Sequence, residues 1–111
     1  MLRASARATN SKIDLKVITS DEADDGGIPH GGLLTSFAEA VLGKDEARLT
    51  AVRRRILDEL GDVALVDAAA VIANYSALDR VADATGIPLE SAKEANTVEL
   101  RAKLGIDEFA R

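Results

Sequence analysis

The chain has no cysteine and no tryptophan, one histidine, two prolines and only three aromatic residues in 111. Without cysteine there is no thiol nucleophile, no Cys-x-x-Cys redox pair, no Cys-ligated zinc and no iron–sulfur cluster. One histidine cannot supply a two- or three-His metal site within a single chain, so neither a metal nor a cofactor is expected. Lys and Arg number 14 against 19 Asp and Glu, a net charge of −5. That balance argues against nucleic acid as a partner, because phosphate-backbone binding needs a basic excess. No apolar run approaches the roughly 20 residues of a membrane span. No apolar leader core is present either, and a cytoplasmic protein is the expectation.

What is present is aliphatic. Of the 47% hydrophobic residues, 20 residues are alanine, and Leu, Ile and Val supply most of the rest. A core of that make-up with no disulfide favours packed helices, and the length fits one domain. The expectation is an all-α fold: a small bundle of about four helices over residues 31–111. Before it comes an extended or disordered N-terminal arm and acidic Gly-rich loop, residues 1–30.

The first twelve residues hold Arg3, Arg7 and Lys12 and no acid. They read as a solvated terminus, with a basic, Ser-containing transit-like leader as the other reading. Ile13, Leu15 and Val17 alternate with Asp14 and Lys16 in a strand-like period. With no partner strand elsewhere, this is an arm expected to lie on a helix or on another subunit. Helical punctuation follows the loop. Leu34, Phe37, Ala38 and Val41 recur at one-face spacing up to Gly43. Asp45 is placed to cap a second helix, with Leu49, Val52, Ile56 and Leu60 as its stripe and Gly61 as its left-handed stop. Asp62 is the next expected cap, opening a helix from Val63 to about Thr85 that Gly86 and Pro88 close. Asn96, with Glu99 three residues on, marks the start of a last short helix ending at Gly105, with Ile106 placed to fold back on Leu100.

The helix over 63–85 is the most informative element. From Val63 to Ala73 its only polar residue is Asp67, so it is apolar almost all round, the mark of a helix buried on every side. Three other helices can scarcely enclose it, and a homo-oligomer assembled through helix 63–85 is expected. Asp67 and Asn74 lie seven residues apart on one side. Buried, each needs a partner, since an unsatisfied polar group costs about 1–3 kcal/mol. They can fix the register of a subunit contact or, with Tyr75, line a small pocket. The second half of the helix carries a polar face of Ser76, Asp79, Arg80 and Asp83.

Other constellations are weighed against plainer readings. Asp21, Asp25 and Gly26 match positions one, five and six of a calcium loop, but Ala23 and Gly32 stand where ligands are needed; an acidic loop is the better reading. The glycines at 26, 27, 31 and 32 lack the Lys-Ser or Lys-Thr of a phosphate cradle and read as linker residues. Asp79 and Asp83, at i and i+4, are acid/base candidates, as is His30, but a solvated face is the better reading for the two carboxylates and a surface or helix-entry position for His30. Arg53, Arg54 and Arg55 point about 100° apart on a helix, with Asp58 and Glu59 one turn on, and do not make one patch.

Phe37-Ala38-Glu39-Ala40-Val41, Leu60-Gly61-Asp62 through Val71-Ile72-Ala73-Asn74, and Asp79-Arg80-Val81-Ala82-Asp83-Ala84-Thr85-Gly86-Ile87-Pro88-Leu89 together form a pattern. It resembles the C-terminal helical part of the alkylhydroperoxidase D-like, carboxymuconolactone decarboxylase superfamily. The likeness covers residues 34 to 89 and extends to Leu104-Gly105-Ile106-Asp107. It implies an all-α fold, a long alanine-rich helix that holds subunits together, and a tendency to oligomerise. The family's peroxidases use a Cys-x-x-Cys pair with a nearby His and Glu on an earlier helix. This chain has neither the pair nor that helix, so no catalytic residue carries over and thiol peroxidase activity by this chain alone is excluded.

The function expected from these readings is a non-enzymatic oligomerisation or partner-binding module, a catalytically empty relative of that group. The alternatives are a cofactor-free enzyme with a small pocket on the helix over 63–85, or one subunit of a heteromeric peroxidase-like complex whose thiols lie on another chain.

Overall fold

A computed structural model describes residues 10, 12–18, 24–88 and 90–109. Arg3, Arg7, Asp21 and Ala23, which the leader and calcium-loop readings invoke, lie outside them. The fold is all-α, and no strand occurs among the described residues. Among the described residues three α-helices run in order: α1 (Gly31–Leu42), α2 (Glu46–Thr85) and α3 (Ser91–Leu104), with 3-10 turns at Leu15–Ile18 and Ile106–Phe109. The chain divides into two compact units, His30–Ile87 and a second built from Met1–Pro29 with Pro88–Arg111.

In the unit His30–Ile87, α1 packs on α2. Leu33, Phe37 and Ala40 of α1 and Val52 and Ile56 of α2 are the buried hydrophobic residues, Ile56 completely so. Leu34, Leu49, Leu60, Leu65, Ala68 and Ile72 pack around this cluster. The expected cap is in place: Asp45 accepts from the Arg48 backbone N–H at 3.0 Å, satisfying one of the first orphan donors of α2. Arg48 also bonds Glu39 across the α1–α2 turn, an exposed pair worth at most about 1 kcal/mol.

The break expected between the helix ending at Gly61 and the one beginning at Asp62 is present: inside α2, an element of 40 residues, Gly61 is non-helical at φ 89°, ψ 175°, so that two helical segments meet there. That is not the left-handed helical region of a helix stop but an extended, positive-φ conformation open essentially to glycine alone. A kink results. A Cβ there would meet nothing within 4 Å, so the need for glycine comes from the backbone and not from packing. The redirected chain brings Leu65, Ala68 and Ile72, beyond the break, to the same core as Leu49, Val52 and Ile56 before it. Asp62 does not cap the second segment in the usual way; its carboxylate accepts from the adjacent Val63 N–H at 2.9 Å. The stop at Gly86 is as expected, in left-handed conformation with its N–H on Ala82 O.

Three further expectations are corrected in the other unit. Residues 15–18 form a 3-10 turn, not an extended strand-like run. Asp14 accepts from the Lys16 N–H at 3.0 Å, closing a local turn that competes with strand geometry. The turn packs on α3. The last helix starts at Ser91, not at Asn96. Ser91 to Ala95 are mostly good helix formers just beyond Pro88, and propensity there overrides the internal Asn96 signal. Nor are the glycines before α1 simple linkers. Gly26 is buried, its carbonyl accepts from Asp14 N–H at 2.9 Å, and a Cβ on Gly27 would lie 2.1 Å from Lys12 O. Gly27 therefore permits close approach of loop and arm.

Gly61→Ala is expected to lower the stability of the chain by about 1–3 kcal/mol, read from urea unfolding followed by circular dichroism. Ile56→Ala, which empties the one fully buried site among the described residues, is expected to cost about 2–5 kcal/mol in the same assay.

Candidate functional site

Beyond Gly61, α2 has two apolar rows on different sides. Leu65, Ala68 and Ile72, at i, i+3 and i+7, face the core, and half-buried Ser76 continues the row. Roughly opposite run Val63, Val66, Ala70, Ala73 and Ala77, spaced 3-4-3-4, all exposed. Val63 is 70% and Val66 66% accessible, and Val71, Leu78 and Val81 are each more than half exposed nearby. This is the physical content of a segment that reads as apolar all round: one side builds the core of its own unit, and the other is bare. The sequence reading noted the apolar girth and not the 3-4 row; the row is legible at heptad spacing once Ala is counted as apolar.

Asp67 and Asn74 are both exposed, so neither is a buried polar group in the single chain. Asp67 borders a shallow depression with Asp62, Val63 and Val66. Asn74 and Tyr75 do not line it, and Tyr75 is 55% exposed. The three residues expected to share a pocket are therefore not gathered into one. Asp79 and Asp83 are exposed. They continue, at helical spacing, the row that Leu65, Ala68 and Ile72 begin, past the end of the core. They form no enclosed carboxylate pair of the sort that splits acid and base roles.

His30 precedes α1 at φ 58°, a left-handed conformation uncommon for a residue with a side chain. Its Nδ1 lies 4.0 Å from Glu59 Oε2, both groups about half exposed. That is beyond hydrogen-bond distance. Glu59 also takes Arg55 at 3.2 Å, the i,i+4 pair expected from the basic run. The arrangement is a surface charge cluster over the α1–α2 contact and holds no nucleophile.

In the second unit a cleft of about 200 Å3 lies between the arm and α3, lined by Ile13, Asp14, Leu15, Lys16, Glu99, Leu100, Lys103 and Leu104. Arg101 braces the end of α3, bonding Thr97 Oγ1, the Glu94 carbonyl and Asp107. The cleft offers alternating charges around leucines and no convergent set of donors. Among the described residues, no group of three His, Asp or Glu side chains is placed to hold a metal, and no helix is long and apolar enough to cross a membrane.

No known protein family matches the chain, and no curated protein or solved structure matches it significantly.

Asp79→Asn is expected to change stability by less than about 0.5 kcal/mol, as for a solvated carboxylate. Urea unfolding checks it, and a larger loss would reveal a structural partner that the exposed position does not display.

Proposed function

We propose that the chain is a non-enzymatic helical interaction module whose working surface is the exposed side of α2 between residues 63 and 85, and that it forms a homo-oligomer through that surface. The observation that carries the reading is the exposed row of Val63, Val66, Ala70, Ala73 and Ala77 along one side of this helix segment. Isolated exposed apolar residues are ordinary on a protein surface, but a contiguous apolar run is a mark of an interaction site. The bundle expected from the sequence is, on this reading, completed between chains and not within one. The resemblance to the alkylhydroperoxidase D-like superfamily supports the same view, since its long alanine-rich helix joins subunits; the chain would be a relative without the thiol chemistry. A cytoplasmic location belongs to the same proposal and rests on the sequence alone.

Light scattering across a concentration series tests the reading. The wild-type chain is expected to exceed its monomer mass of 11.7 kDa, and Val66→Asp to return it to that mass with helical content unchanged. A wild-type monomer at every concentration overturns the homo-oligomer. Asn74→Leu separates interface from pocket: a role in register predicts a changed mass or a mixture of masses, whereas a substrate pocket predicts an intact assembly that loses ligand binding.

A further inference from the structure

The exposed row of α2 is bordered by polar residues whose positions are not arbitrary. Taking Val63, Ala70 and Ala77 as a positions makes Val66, Ala73 and Arg80 the d positions. Asp62 then stands at g, on the Arg80 flank. Asp67 and Asn74 stand at e, on the other flank. All of these residues are exposed.

We infer that this face binds a second copy of the chain in antiparallel orientation, centred between Val71 and Ile72, with Arg80 of each copy paired to Asp62 of the other and Asn74 of each to Asp67 of the other. The inference rests on the interaction reading above and adds the partner, the direction and the register. About that centre, a positions meet d positions in every layer: Val63 with Arg80, Val66 with Ala77, Ala70 with Ala73, each twice by the two-fold symmetry. The alanines let the two backbones approach closely. At a rise of 1.5 Å per residue, Arg80 and Asp62 of opposite copies lie within about 1.5 Å of one height, and Asn74 and Asp67 within about 3 Å.

The flanks agree because antiparallel helices set g beside g and e beside e. The carboxylate of Asp67 accepts from the Asn74 amide on one edge. On the other edge the Arg80 guanidinium reaches Asp62, at the rim of the shallow depression formed with Val63, Val66 and Asp67, while its stem covers Val63. The parallel alternative inverts this pattern. It stacks Arg80 on Arg80 in the seam and sets Asp62 beside Asp67 of the other copy, so every charged contact becomes one of like sign. Val71 and Leu78 lie one row further round and stay outside the two-helix seam.

The natural absence of cysteine makes disulfide trapping a clean test. Antiparallel pairing separates residue 66 from its own counterpart by about 16 Å along the axis, too far for a disulfide, whose Cα atoms lie within about 7 Å. Val66→Cys and Ala77→Cys, oxidised separately, are therefore expected to stay uncross-linked at dimer mass, and an equilibrated mixture of the two to form a reducible mixed dimer. Cross-linking of Val66→Cys to itself at dimer mass overturns the antiparallel pairing and leaves the interaction reading standing. A wild-type monomer at every concentration overturns both. Charge exchange gives an independent readout: Arg80→Asp is expected to raise the dissociation constant at least about tenfold, and adding Asp62→Arg in the same chain to restore it. A double variant no tighter than Arg80→Asp, with wild-type helical content, overturns the pairing.

Discussion

The backbone of Gly61 is the constraint on which the rest of the unit His30–Ile87 depends. Forty residues of unbroken helix would extend about 60 Å, and α1, at twelve residues, reaches about 18 Å. A straight α2 would carry Leu65, Ala68 and Ile72 past the end of α1 and leave them in water. The extended, positive-φ turn at Gly61 redirects the chain so that residues on both sides of the break share one core. The strain is small because glycine carries no Cβ, and the local cost is offset by apolar surface removed from water on both segments, at about 25 cal/mol per Å2.

That solution leaves a remainder. With α1 as its only partner helix within the unit, the second segment of α2 can bury one row. Its sequence has two, because alanine and valine fill positions that a surface helix would give to Lys, Glu or Gln. The outer row's exposed valines, with Asp62, Asp67, Asn74 and Arg80 at its margins, would give the contact proposed above an apolar centre and a polar rim.

How much of this could be read from the sequence depended on whether one local rule acted alone. Asp45 capping Arg48, the Leu49–Val52–Ile56–Leu60 stripe and the Gly86 stop are cases in which a single residue type meets a single geometric need, and each is found as expected. Gly61 was legible as the boundary between two helical segments, but not its extended ψ, since a positive-φ glycine fits either a left-handed stop or an extended turn and the choice lies in ψ. Asn96 with Glu99 matched a capping-box spacing, but the helix formers from Ser91 on started the helix earlier. The alternation at Ile13–Val17 spans five residues, short enough for the Asp14 turn to win. Of the candidate site residues, Asp67 and Asn74 were singled out for an apolar helix around them. The structure keeps them on its bare side, while no enclosure forms around Tyr75, Asp79, Asp83 or His30.

The same contrast bears on function. Acid–base and nucleophilic chemistry needs groups held out of water, where burial and neighbours move their proton affinities and exclude solvent. Among the described residues no polar or charged side chain is buried, and the carboxylates of α2 project from a convex helix. A helix presents its side chains in a divergent fan, which suits contact with a second surface and ill suits convergence on a small molecule. Convergence can arise only when another surface closes over the fan. In the proposed contact Asp67 and Asn74 would leave water together, and any chemistry on this segment would depend on that contact forming first.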